Sequence, residues 1–455
     1  MRRRLLPIAT AGVLFLNDAR PALAHGLGGR LDLPVPRWLF VYGAAVALVI
    51  SFVALAVLWR SPRLEGRKER DGHDGPLQSL LSSTIVEWTL RAVGLALFLL
   101  VVVAALGGVD EPTDNVAPVF VYVWLWVGLA FACALLGNLW ATLSPFDTAA
   151  RLLAIGDEPR RAYPKAWGKW PAALLLLGFT WLELVAPFGA TPRTLGVAIA
   201  AYTLITLTGM AVFGRGEWNR RGEAFAVLYD LLGRLAPFAR DGDGRVVRRP
   251  VLGGLPSLRP EPGLLAFVGV LLGSTTFDGV SRTSAWTSLV GGLGSVSRTL
   301  AGTAGLIAVT MLVTGAFSLA MASASLVSGE RWHPLAVRFA HSLVPIAFAY
   351  MVAHYFSLLV LEGQLGLRLV SDPFGLGWNL LGTAGWSVNL GLLSVGVIWY
   401  VQVVAIVAGH IGGVVLAHDR AVASFPARVA MRTQYALLAV MILFTAIGLL
   451  LLSGG

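Results

Sequence analysis

The chain is short of what soluble proteins use most. Charged residues make up 13% of its 455 residues. Soluble domains carry about a quarter, so this chain cannot build an ordinary water-facing surface. It has a single cysteine, Cys133, which excludes a disulfide framework and a thiolate metal centre. Lysine is scarce too: only three of the 35 basic residues are lysines. No GxGxxG, Walker A, HExxH or GxSxG sequence occurs, and no internal repeat stands out, so the familiar nucleotide and hydrolase signatures are missing.

What is present is apolar. Hydrophobic residues reach 56%, mean hydropathy is +0.73, and many of the 15 tryptophans sit at the edges of apolar runs, as in interfacial belts. The expectation is an all-α polytopic transmembrane helical bundle in contact with the lipid bilayer. Spans are predicted at about 38–59, 88–107, 118–140, 171–190, 194–213, 263–280, 300–327, 338–361, 389–416 and 433–452, each near the length of about 20 residues that a bilayer needs.

The first 24 residues open with the three arginines Arg2, Arg3 and Arg4, followed by the apolar core LLPIATAGVLFL and a closing Ala22-Leu23-Ala24, the layout of a cleavable signal peptide. Residues 25–455 would then form one transmembrane domain whose N- and C-termini both lie outside the cytoplasm of a bacterial inner membrane. Charge supports that orientation. Loops 60–87, 141–170, 214–262, 328–337 and 417–432, with Arg91 and Arg338 at span entrances, take 25 of the 35 basic residues, which is the positive-inside bias. The net charge of +10 therefore reads as attraction to an anionic inner leaflet, with no nucleic acid implied.

The longest of these loops, 214–262, contains GEAFAVLYDLLGRLAPFA, whose apolar residues recur at helical spacing. It is predicted to lie on the inner membrane surface. Asp241-Gly-Asp243 after it reads as a tight turn, too short for a calcium loop.

Five of the seven histidines (His333, His341, His354, His410 and His418) fall in the fifth of the chain from Trp332 to Arg420. Ionisable groups at membrane depth normally face a bundle interior, a cavity or a site. If spans 338–361 and 389–416 are antiparallel neighbours, rise per residue sorts their polar groups into two layers. His341 would meet His410 near the inner face, a weaker site that could ligate metal or haem, with His418 below as an interfacial anchor. In the outer half His354 would meet Tyr400 or Gln402.

Glu183 in span 171–190 and Asp278 in span 263–280 lie at that outer depth. The stretch Gly273-Ser-Thr-Thr-Phe-Asp278-Gly suggests a span broken where it lines a cavity. The predicted catalytic set is His354, Glu183, Asp278, Gln402 and Tyr400. His354, Glu183 and Asp278 are also the candidate ligands of a divalent metal ion, or the base that activates a water.

Several stretches together resemble one family, the bacterial polytopic membrane proteins known as fenitrothion hydrolases. They are AHGLGGRLDLPVPRWLF, RGEAFAVLYDLLGRLAP, LLGSTTFDGVSRT, AHSLVPIAFAYMVAHYFSLL, SDPFGLGWNLLGT and AGHIGGVVLAHDR, spread over most of the chain. The resemblance implies hydrolysis of an organophosphorothioate triester at its P–O(aryl) bond. It supplies no catalytic residues. A small apolar substrate of that kind would reach an outer-half site through lipid. The competing expectation is a transporter or permease for a small ion or metabolite that uses the same buried groups. A second membrane subunit is compatible with either.

Overall fold

The computed structural model describes residues 37–66, 83–240 and 245–454. The expected signal segment and the turn at Asp241-Gly-Asp243 lie outside them. The described chain is mainly helical with almost no strand, as its apolar periodicity predicts. In order come α1 (Arg37–Leu58), α2 (Thr84–Gly107), α3 (Val116–Leu136), α4 (Trp140–Leu143), α5 (Pro145–Leu152), α6 (Trp170–Leu184), α7 (Pro192–Phe213), α8 (Arg215–Arg221) and α9 (Ala224–Gly233). A small hairpin of β1 (Phe238–Arg240) and β2 (Val246–Arg248) follows, pairing Ala239 with Val247. Then come α10 (Leu264–Ser281), α11 (Ser284–Val290), α12 (Ser295–Ser328), α13 (Trp332–Phe339), α14 (Val344–Leu361), α15 (Gly363–Leu369), α16 (Val395–Ser424), α17 (Ala427–Thr433) and α18 (Tyr435–Gly454).

Among the described residues, nine helical segments are long and apolar enough to cross a membrane, so the chain is a multi-pass membrane protein. The remaining predicted span, 171–190, is shorter than expected. α6 ends at Leu184, just before Pro187, and its 15 residues reach only about 22 Å.

Contacts sort the loops to two ends. At the basic end, Asp147 on α5 accepts from Arg91 on α2 (2.7 Å), Arg151 (3.0 Å), Arg215 (2.7 Å) and Asn219 (3.0 Å). Burial would push this carboxyl up, but the bonds from Arg215 and Arg151 outweigh it and hold it below the usual carboxylate range. At the other end, Arg368 reaches the Thr113 carbonyl and the Asp110 carboxylate accepts from the Arg193 backbone.

α10 is the helix the bundle closes around: 72% of its apolar window is buried. Gly269 and Gly273 form a small-xxx-small step against α12, where added methyls would fall 2.2 Å from Thr314 Oγ1 and 2.5 Å from Thr310 Cα. The sequence suggested a break after Gly273, and none forms. Ser274, Thr275 and Thr276 bond back to the carbonyls of Leu271 and Leu272, so their hydroxyls are satisfied inside a continuous helix. α14 and α16 pack antiparallel with equal closeness, since a methyl on Gly409 would lie 2.2 Å from Ala349 Cβ.

α9 corrects a second expectation. It does not lie on the membrane surface but is buried against α3 and α6, with Tyr229 donating to the Leu125 carbonyl (2.7 Å) in the π-helical middle of α3. Within its ten residues only Asp230 is charged, and a helix apolar all round belongs inside. Its N-terminus is closed by buried Glu223, which accepts from Trp140 Nε1 (3.0 Å), the Tyr202 hydroxyl and the Phe225 backbone (2.9 Å).

Candidate functional site

Three helices bring the outer-half residues together. Asp278, on the last turn of α10, is the hub. One of its oxygens accepts from Arg282 Nη2 (2.8 Å) and Nε (3.1 Å), one helical turn on. Its other oxygen lies 4.0 Å from His354 Nδ1 on α14, a charge contact slightly beyond hydrogen-bond length. Glu183 on α6 sits where the charges of Asp278 and Arg282 both act on it. Its Oε2 is buried with no hydrogen-bond partner among the described residues. The cluster extends to Tyr355, next to His354 on α14, and to Tyr122 on α3.

The packing explains why His354 sits where it does. Gly279 follows Asp278 on α10, and a methyl there would stand 3.0 Å from His354 Cε1 and 3.1 Å from Nε2. The Cε1–Nε2 edge of the imidazole thus rests against the bare backbone of α10 at Gly279. Its side chain keeps 12% exposure, so it is reachable, whereas Asp278 keeps only 3%.

Gln402 belongs to the frame of this site. Its Nε2 donates to the Ala353 carbonyl (2.8 Å), tying α16 to α14 one residue before His354. Tyr400 does not belong: it is 51% exposed on the outer face of α16. Two residues along a helix differ by about 200° in direction, so Tyr400 and Gln402 cannot both face α14. Tyr350 is committed elsewhere, donating to the Phe444 carbonyl (2.6 Å).

The divalent-ion expectation does not fit this donor set. The guanidinium of Arg282 occupies one edge of the Asp278 carboxylate. No group of three or more His, Cys, Asp or Glu among the described residues is placed to hold a metal. No step is therefore assigned to one.

The inner layer is corrected more fully. His341 and His410 are both buried, each with Nδ1 on a nearby carbonyl, of Arg338 (3.0 Å) and Ile406 (2.9 Å), and with Nε2 lacking a partner among the described residues. His341 lies beside Leu416, about 9 Å farther along α16 than His410, so the register separates the pair. Neither joins a metal-holding group or a paired haem ligation. His418 is no interfacial anchor. It is buried, with Nε2 against the Trp59 carbonyl (3.0 Å) and Nδ1 against Gln434 Oε1 (3.1 Å). Asp419 and Arg420 continue the same fastening: Asp419 holds residues 59–65, and Arg420 pairs with Glu65 and donates to the Pro256 carbonyl (2.7 Å).

Two residues beside Asp278 and His354, Arg282 and Tyr355, are absent from the predicted set. The i, i+4 spacing of Asp278 and Arg282 was a readable signal for the first. No family model, no curated protein and no solved structure matches the chain.

Proposed function

We propose that this membrane protein is a hydrolase of small apolar phosphoester-like substrates, organophosphorothioate triesters among them, acting at the Asp278–His354 pair. The observation that carries the reading is the arrangement around Asp278. Arg282 fixes one carboxylate oxygen, and the other faces an imidazole whose side chain keeps 12% exposure. A carboxylate behind a histidine orients the ring and stabilises the imidazolium formed when the ring takes a proton. In this reading His354 removes a proton from water as its oxygen bonds to phosphorus, and the P–O(aryl) bond breaks to release a phenolate. Glu183 Oε2, lacking a partner, serves as the second acceptor that aims the water. The site lies among membrane-spanning helices, which suits a substrate that partitions into lipid.

The finer localisation follows the charge bias: a bacterial inner membrane, the basic end in the cytoplasm, and both termini outside after removal of a signal peptide. The deciding experiment uses purified protein in detergent with an aryl phosphorothioate triester in ¹⁸O-labelled water. Label in the phosphorothioate product, lost in His354→Ala, supports the reading, and absence of phenolate release overturns it. A transport reading has its own support in α9, a short apolar helix buried within the bundle. Substrate uptake into proteoliposomes without turnover would favour it.

A further inference from the structure

Away from the Asp278 site, two cavities meet at one wall. The first holds about 400 Å³ among α2, α3, α6 and α7, and its lining is almost wholly aliphatic and aromatic. The second holds about 630 Å³ at the basic end and is lined by seven Arg and Lys against three Asp and Glu. Both volumes are in the range of small-ligand pockets. Trp140 lines both, and its neighbours divide between them. Leu143, Pro145 and Phe146 face the apolar side, while Ala141, Ser144 and Asp147 face the basic one.

The basic cavity keeps an unbalanced charge. Arg151 and Arg215 share Asp147, Arg234 holds Asp230 and Arg221 holds Glu261. Lys169 and Arg259 also line it, and among the described residues neither has a carboxylate at ion-pair distance. Lys169 is the more telling of the two. It is 7% exposed, and its ammonium donates to one neutral acceptor, the Arg220 carbonyl at 2.6 Å, leaving two of its three N–H groups to be served. Glu261 and Asp230 act on it only from beyond ion-pair distance, which leaves room for an anion beside the ammonium in the cavity.

We infer that the two cavities together bind one phosphate-ester amphiphile, with its phosphate among Lys169, Arg259 and the cavity arginines and its hydrocarbon chain in the apolar cavity beyond Trp140. Arginine and lysine supply the donors that phosphate oxygens accept. The apolar cavity distinguishes a lipid-borne phosphate from a soluble one, which would leave it unused. The site is separate from the Asp278 cluster and does not depend on hydrolysis there.

The test measures binding to the full chain in a bulky sterol detergent, with dodecyl phosphate, ethyl phosphate, inorganic phosphate and dodecanol as probes. Dodecyl phosphate should bind at least about tenfold tighter than ethyl phosphate, since each buried methylene adds to affinity. Lys169→Met should weaken both esters severalfold, and Lys169→Arg should restore them. Gly178 lines the apolar cavity, and a methyl added there meets nothing within 4 Å. Gly178→Leu should therefore fill the chain's space without disturbing the fold, cancelling the advantage of dodecyl phosphate while leaving ethyl phosphate unchanged. Binding of dodecanol as tight as dodecyl phosphate, or indifference to Lys169→Met, would overturn the inference. Inorganic phosphate binding as tightly as the dodecyl ester would also overturn it, by assigning the cavity to a soluble phosphate. His354→Ala should bind dodecyl phosphate normally, so failure here and failure of the hydrolase reading remain distinct.

Discussion

Trp59 and Asp419 are 360 positions apart in the chain and joined by a 2.8 Å hydrogen bond from the indole Nε1 to Oδ1. The same carboxylate accepts from the backbone N–H groups of Arg63, Leu64 and Glu65, so one buried side chain terminates α1 and fastens its following turn to α16. Asp419→Asn keeps the shape but replaces one acceptor by a donor facing N–H groups. The expected cost is about 2–4 kcal/mol, in line with disrupting a charged, buried hydrogen-bond set. It should appear as a lowered midpoint in thermal unfolding followed by tryptophan fluorescence. A midpoint unchanged from wild type would show that the fastening contributes little.

Acid should loosen the basic end through Asp147. Its carboxyl is held below the usual range, although burial opposes this, because Arg215 and Arg151 bond to it. A carboxyl depressed on folding adds stability that is fully present above its unfolded value of about 3.9 and fades as pH falls through the lower folded value. The contribution of Asp147 should therefore be level from pH 7 to about 5 and fall below about 4. Asp147→Asn should be less stable at pH 7 and show a shallower acid limb. Parallel acid limbs in the two proteins would exclude Asp147 as the titrating group.

The spans, the sorting of basic loops to one end and the depth of Glu183, Asp278 and His354 were legible because lipid imposes simple rules on length, charge and burial. Direction around a helix was less so. Tyr400 and Gln402 share a depth, yet only contact with α14 decides that Gln402 faces inward. α9 misled for a related reason: apolar residues at helical spacing fit a surface helix, and only its lack of a charged face marks it for burial. The His418-Asp419-Arg420 run looked like a membrane boundary because its partners, Trp59, Glu65 and Pro256, are distant in sequence. The close approach of α10 to α12 at Gly269 and Gly273 depends on Thr310 and Thr314, which periodicity does not pair with them.

Arg282 and Asp278 should behave as a coupled unit. Arg282→Gln leaves a buried carboxylate short of its cation, and Asp278→Asn leaves the guanidinium against a neutral amide. Each should destabilise the protein, with the double variant less damaged than the sum of the singles by about 1–3 kcal/mol. A double-mutant cycle on thermal or denaturant unfolding measures the term. Strict additivity would mean that solvent at the edge of Arg282, 34% exposed, already serves the ion pair.

The last prediction concerns the bare backbone beneath His354. Alanine at position 279 suits the helix itself, since alanine is the better helix former by about 1 kcal/mol. The new methyl, however, would stand 3.0 Å from Cε1 and 3.1 Å from Nε2 of the imidazole, a tight contact that the ring must relieve by a few tenths of an ångström. The ring has to tilt or shift, and its Nδ1, now 4.0 Å from Asp278, moves with it. Gly279→Ala should therefore keep or slightly raise thermal stability while lowering turnover of an aryl phosphorothioate severalfold, less than the loss of about 100-fold that a full ångström of misplacement brings. Loss should fall on kcat more than on KM, because the substrate still partitions from lipid into the same helices. Unchanged turnover would mean that the position of the His354 ring does not matter to the chemistry, and with that the assignment of His354 as the base would fall.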